Sequence, residues 1–470
     1  MKRQVIVGIL ATLTLTGMAG LTACGDGGEG SQTTGTGSTA GPSTSPDQVK
    51  GSGTVHYINA KPEIADKYEE VAADFLEETG ITLKVVTAAS GTYEQQLTAE
   101  MGKSTPPDLF QINSPQMAAQ WQDYTADLAG TSLYGALTDK TMAITSGNAV
   151  VGLPYVVEGY GIIYNDAIMK KYFALADKAV DVSDASEIKD FATLQAVVED
   201  MQAKKDALGI KGVFASTSMK AGEDWRWNNH LIAVPLTYEW EATGTDLSQP
   251  VNSFEFTYNK DFQNLFDLYL NNSTVAKGAA LTNLAVGDSM AEFALGQAAM
   301  AQNGNWAWSQ IDSTDGNVVL SEDIKYLPLY TGQPDDASRG LAIGTDNYYA
   351  INSQVSAEQQ QLAADFIWWL FNSETGKRHV VESLGFIAPF ETFDDTEVPD
   401  DPLAKEVKAW MGKDGVTNVA WGSKVIPNQA WKDNFTSTLT KYILGEATWD
   451  EVAENSVEDW SKQAKLGAGE

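Results

Sequence analysis

From residue 54 onward, short apolar runs alternate with longer segments whose apolar positions recur every three or four residues, as expected of strands interleaved with amphipathic helices. Val55-His56-Tyr57-Ile58-Asn59 reads as a strand. Residues 63–78 follow, with Ile64, Tyr68, Val71, Phe75 and Leu76 close to helical spacing, and Thr79-Gly80 stops them. Ile81-Thr82-Leu83-Lys84-Val85-Val86 is strand again, and residues 93–101 form a second helix. Pro106-Pro107 separates it from a third strand, Asp108-Leu109-Phe110-Gln111-Ile112. This βαβαβ rhythm predicts an α/β fold with a parallel sheet flanked by helices. Ligands of such sheets bind beyond the carboxyl ends of the strands, here at residues 59–61, 88–93 and Asn113-Ser114.

The pattern changes before residue 54. Met1-Lys2-Arg3 is a short basic start, and residues 5–21 follow without a charge, about as long as the shortest bilayer-spanning helices. Their Thr and Gly content suits a secretory signal better than a permanent anchor. Residues 25–53 are rich in Gly, Ser and Thr and hold too few apolar side chains to build a core. They read as a flexible tether spanning on the order of 30 Å.

The chain's 470 residues exceed the roughly 250–300 at which a single core stops growing, so two lobes are expected. Against 31 Lys plus Arg stand 63 Asp plus Glu, a formal net charge of −32. Within residues 1–53, Lys2, Arg3 and Lys50 cancel Asp26, Glu29 and Asp47, so the whole excess lies on the folded part. A polyanion is repelled by phosphate backbones, which argues against nucleic acid as a partner. One Cys forbids intramolecular disulfides and Cys-based zinc clusters, and His56, His230 and His379 are too few for a His-rich site. Neither metal nor cofactor is expected.

Leu21-Thr22-Ala23-Cys24-Gly25, which contains that Cys, resembles the bacterial lipobox. The resemblance implies a lipoprotein signal peptide over 1–23, a lipid-bearing (palmitate) Cys24, and a linker over 24–53. Together these would hold the folded part at the extracellular face of a cell membrane, a Gram-positive surface rather than a periplasm.

Four further segments occur in order. Gly152-Leu153-Pro154-Tyr155 leads to Gly161-Ile162-Ile163-Tyr164-Asn165, and Ala298-Ala299-Met300 to Gln302-Asn303-Gly304-Asn305-Trp306-Ala307-Trp308-Ser309. Pro328-Leu329 precedes residues 344–351, and residues 363–370 precede Gly385-Phe386-Ile387-Ala388-Pro389. These resemble the bacterial extracellular solute-binding proteins of ABC sugar importers (family 1, maltose-binding-protein-like). The resemblance implies a type II periplasmic-binding-protein fold, with two lobes, each a parallel-rich sheet flanked by helices. About three crossovers would join them, near 161–165, 326–330 and 371–375. One lobe would comprise 54–163 plus 325–370, the other 164–324 plus 371–470. A monomer would capture a carbohydrate, an oligosaccharide, in the interlobe cleft and deliver it to the transmembrane subunits of an ABC permease.

A pyranose has an apolar C–H face and a hydroxyl rim, so its site needs a flat aromatic and rim-binding polar or charged groups. Most of the 13 Trp are expected in cores, as Trp368 and Trp369 in an apolar helix. Trp306 differs: it follows Asn303-Gly304-Asn305, whose Gly permits close backbone approach, and by resemblance it matches a sugar-stacking aromatic. Glu158 matches a hydroxyl-binding carboxylate in the same way. In Glu223-Asp224-Trp225-Arg226-Trp227 the candidates are Glu223 and Trp225, with Asp224 and Trp227 as close alternatives. Lys61 and Asn113 are candidates by strand-end position, and Asp346 by the loop after Gly344. Trp431 lies near a further stacking aromatic of the family, with Lys432 at the strict match.

Paired carboxylates beside Trp also suit an extracellular glycan-processing hydrolase, and a glycan-binding adhesin is a third reading. The sequence lacks G-x-S-x-G, H-E-x-x-H and C-x-x-C, and a non-enzymatic binding protein is the expectation. Replacing Cys24 with Ser should move the protein from the membrane pellet to the soluble fraction on cell fractionation; retention of the variant in the pellet would refute the lipid anchor.

Overall fold

The computed structural model describes residues 49–467. The expected signal peptide, Cys24 and most of the linker lie outside the described residues. In chain order the strands are β1 (Gly53–Asn59), β2 (Ile81–Thr87), β3 (Leu109–Ile112), β4 (Ile144–Ser146), β5 (Ala149–Pro154), β6 (Glu158–Asn165), β7 (Gly212–Phe214), β8 (Ala298–Gly304), β9 (Ile324–Leu327), β10 (Arg339–Gly344), β11 (Tyr348–Ile351) and β12 (Thr417–Val419). They form two sheets flanked by helices, with orders β2-β1-β3-β11-β5-β4 and β12-β10-β6-β8-β7; β9 lies alongside β6.

The βαβαβ unit is the predicted one. β1 runs parallel to both β2 and β3, and the helices Lys67–Thr79 and Tyr93–Met101 connect them. Tyr68, Val71 and Phe75 of the first helix are buried, whereas Leu76 is 45% exposed. Gly80, at φ +80°, ends that helix by donating its N–H to the Leu76 carbonyl, a left-handed cap that glycine adopts without a Cβ clash. Trp368 and Trp369 are buried in the helix Ala357–Asn372, as expected.

Both sheets are mixed: β4 and β11 run antiparallel to the rest of the first, and β6 to the rest of the second. β5 of the first sheet continues through residues 155–157 into β6 of the second, and β10 returns through residues 345–347 into β11. Phe366, Phe371, Val380 and Phe390 pack in the first sheet's core, while Leu403 and Val407 pack with the second, so the third passage falls between 390 and 403. These positions differ from the expected 161–165, 326–330 and 371–375. Gly161 to Asn165 is instead the interior of β6, paired with β8 and β9. β9 and β10, expected in the first lobe, pair antiparallel with β6 in the second sheet. Short apolar runs are compatible with either sheet, and only the pairing partner decides between them.

Acid burial gives the fold a pH dependence. Desolvation pushes Asp261 and Asp401 up to about 6, and burial also raises Asp336 and Glu406. Between roughly pH 4 and 6 the folded chain therefore holds protons that the unfolded chain has released. Their contribution is present at the acid end of that window and is lost as pH rises through the folded values. The melting midpoint should be a few degrees higher at pH 5 than at pH 7.5; an equal or lower midpoint at pH 5 would contradict it.

Candidate functional site

A cleft of about 1030 Å³ lies between the two sheets. The residues beyond the carboxyl ends of β1, β2 and β3 form one wall, including Lys61, Tyr93 and Asn113, and Trp225, His230 and Trp306 stand on the other. The two crossings contribute Glu158, which opens β6, and Asp346-Asn347.

Polar groups are linked across these elements. Asn59 fixes the turn after β1, its Oδ1 accepting from Lys61 N–H at 3.0 Å and its Nδ2 donating to the Lys61 carbonyl at 2.8 Å. Lys61 Nζ then reaches Glu158 Oε1 at 2.6 Å, with both side chains buried. Asn347 Nδ2 donates to Glu158 Oε2 at 2.8 Å and to Asp346 Oδ1 at 3.0 Å. Asn229 Nδ2 donates to Asp346 Oδ2 at 3.2 Å, and Lys432 Nζ to Asn229 Oδ1 at 2.8 Å.

The charges respond to this arrangement. Burial works against the Lys61 ammonium, but Glu158 and Glu63 outweigh it and hold its pKa above the ordinary range. Burial lifts Glu158 in turn, against the pull of Lys61. Among the described residues Lys432 Nζ hydrogen-bonds only a neutral amide, and its pKa is lowered by burial, against the pull of Asp346 and Glu94.

Aromatic rings line the second wall. The Trp306 ring lies 5.7 Å from Trp225, 5.2 Å from His230 and 6.4 Å from Trp421, and Lys61 Nζ stands 5.9 Å from it. The indole crosses so close over Gly304 that a Cβ there would lie 2.1 Å from the ring. Gly304 thus makes room for Trp306 itself. A π-helical turn, Arg226–Leu231, begins after Trp225 and leads into the helix Ile232–Thr243. The Tyr160 hydroxyl of β6 donates to the His230 carbonyl at 2.9 Å and so ties the turn to the second sheet. The turn sets Trp225, Asn229 and His230 along one cleft wall. Burial, reinforced by Arg226, Lys432 and Lys61, holds His230 well below its ordinary pKa, so the imidazole is neutral.

Lys61, Asn113, Glu158, Glu223, Trp225, Trp306 and Asp346 all line this cleft. Trp431 does not: it is fully buried, stacked on Phe435 at 5.1 Å and 9°, and its Nε1 donates to the Ser456 carbonyl. On the helix Gln429–Leu444, Trp431 packs into the core while its neighbour Lys432 lines the cleft. Of the alternatives, Asp224 also lines the cleft, whereas Trp227 is core. His230 and Trp421 were not singled out by sequence. His230, five residues after Trp225, had a signal only if the π-turn was foreseen, and Trp421 had none.

Residues 70–408 match the family model described as bacterial extracellular solute-binding protein. No curated protein matches the chain. Among solved structures, a chitin oligosaccharide binding protein is 17% identical with a TM-score of 0.67, over 88% of this chain and 99% of its own. The maltose-bound MalE3 of T. maritima is 16% identical with a TM-score of 0.63, over 87% and 99%. A sugar transporter of Bacillus licheniformis in complex with stachyose is 17% identical with a TM-score of 0.63, over 87% and 100%. These likenesses establish the shared two-lobed fold.

Replacing Lys61 with Met would leave Glu158 buried beside no cation, at a cost of about 3–5 kcal/mol. The loss relative to the unmodified protein should be largest at pH 7.5 and shrink toward pH 5, as Glu158 takes up a proton. Urea unfolding of both proteins at the two pH values measures this; a gap below ~1 kcal/mol at pH 7.5 would show the pair to be structurally idle.

Proposed function

Because the chain belongs to the bacterial extracellular solute-binding proteins, we propose that its cleft captures an oligosaccharide, which the protein passes unchanged to the transmembrane subunits of an ABC permease. The observation that carries the reading is the meeting of Trp306, Trp225 and Trp421 with the Lys61–Glu158–Asn347–Asp346 network in one cleft. Indole faces suit the apolar side of a pyranose, and fixed carboxylates and amides suit its hydroxyl rim. Both Glu158 oxygens already hold partners, Lys61 on one and Asn347 on the other. That arrangement suits a carboxylate accepting from a hydroxyl rather than a general acid protonating a leaving group. The fold relatives bound to maltose and stachyose support the ligand class. Lipid on Cys24 and the Gly/Ser/Thr tether would keep the monomeric receptor at the outer face of a Gram-positive membrane.

Calorimetric titration with malto-, galacto-, xylo- and chito-oligosaccharides should find saturable binding of at least one class, with the sugar recovered intact. Trp306→Ala should weaken that binding by ~2 kcal/mol, roughly thirtyfold, as loss of an aromatic anchor does. Hydrolysis of the sugar, or no binding across the panel, would overturn the reading; unchanged affinity in the variant would remove Trp306 from the site.

A further inference from the structure

A second polar site lies behind the aromatic wall. Arg226, the first residue of the π-turn, is 2% exposed, yet its guanidinium Nε and Nη2 have no hydrogen-bond partner among the described residues. Nη1 makes one long contact, 3.5 Å to the Glu223 carbonyl, and one face of the group lies 4.2 Å from the Trp225 ring. Arg226 forms no ion pair among the described residues, and the Glu223 carboxylate acts on it only through a longer-range field. Tyr269 is also 2% exposed, and its hydroxyl is unpartnered. Arg226 and Tyr269 line a cavity of about 10 Å³ together with Gln302, Ser216 and Ser289.

The hydrogen-bonding capacity around this cavity is unbalanced. Arg226 Nε–H, Arg226 Nη2–H and Tyr269 O–H lack acceptors, against one unpartnered acceptor, Gln302 Oε1. The Gln302 amide is oriented by its Nε2, which donates to the Arg226 carbonyl at 3.0 Å. Ser289 Oγ donates to the Ser216 carbonyl at 2.7 Å. Glu292, whose Oε2 accepts from Ser216 N–H at 2.7 Å, is further engaged by the Thr274 hydroxyl. A buried guanidinium without an acceptor is strongly disfavoured. A water could take two of the free donors and leave the charge uncompensated. A small anion placed among them would accept from these donors and neutralise the charge, in a space of about one water-sized occupant.

We infer that this cavity binds a monovalent anion of the halide class, held by the Arg226 guanidinium and the Tyr269 hydroxyl. The anion would fix the guanidinium against the back of Trp225 and so brace the cleft wall. The inference does not depend on the ligand proposed for the cleft.

The test is thermal unfolding of the full chain at constant ionic strength, with chloride or bromide replacing sulfate, which is too large for the cavity. The midpoint should rise saturably by a few degrees with halide, as ligand linkage requires. Arg226→Met should abolish the rise and Tyr269→Phe reduce it. Crystals grown in bromide should show an anomalous peak between Arg226 and Tyr269. Equal midpoints in halide and sulfate, or a water at that position in the bromide crystals, would overturn the inference. If Arg226→Met fails to fold, the bromide diffraction of the unmodified protein decides.

Discussion

Lys61 and Glu158 form a buried ion pair between the turn after β1, in the first sheet, and the first residue of β6, in the second. Each charge is costly to desolvate alone, and together they are held by Asn59 on one side and Asn347 on the other. Because Asn347 lies in the returning crossing, the network ties two of the three passages between the sheets to the first strand. The same atoms that fix the geometry of the crossings thus face the cleft.

Opposite this network, aromatic residues converge from elements far apart in sequence: Trp225 before the π-turn, Trp306 after β8 and Trp421 after β12. Gly304 makes room for that wall, since a Cβ there would lie 2.1 Å from the Trp306 indole, and the Tyr160 hydroxyl ties the His230 carbonyl to β6. One end of the cleft is therefore apolar and planar, the other charged and hydrogen-bonding, a division suited to a ligand with an apolar face and a polar rim.

Much of this was legible from local pattern. The βαβαβ unit followed from apolar periodicity and the Gly80 and Pro106-Pro107 stops, and the strand-end rule led to Lys61 and Asn113, which line the cleft. Trp306, Glu158, Glu223, Trp225 and Asp346 came from motif or composition and also reach it. Trp431 was misjudged because adjacent helix positions point about 100° apart; one residue's difference in register separates a core indole from the cleft-lining Lys432.

The crossings were misplaced for a different reason. β9 and β10 carry apolar runs that could extend either sheet, and their pairing with β6 is a long-range choice. By itself the sequence determined the α/β class, the family, the acidic surface and most of the cleft's side chains, since periodicity, motifs and charge are local properties. Only the tertiary structure decided which strands cross, which of Trp431 and Lys432 meets the cleft, and that Trp421 and His230 join its wall. Those outcomes depend on contacts between residues tens to hundreds of positions apart, whose energies no local segment contains.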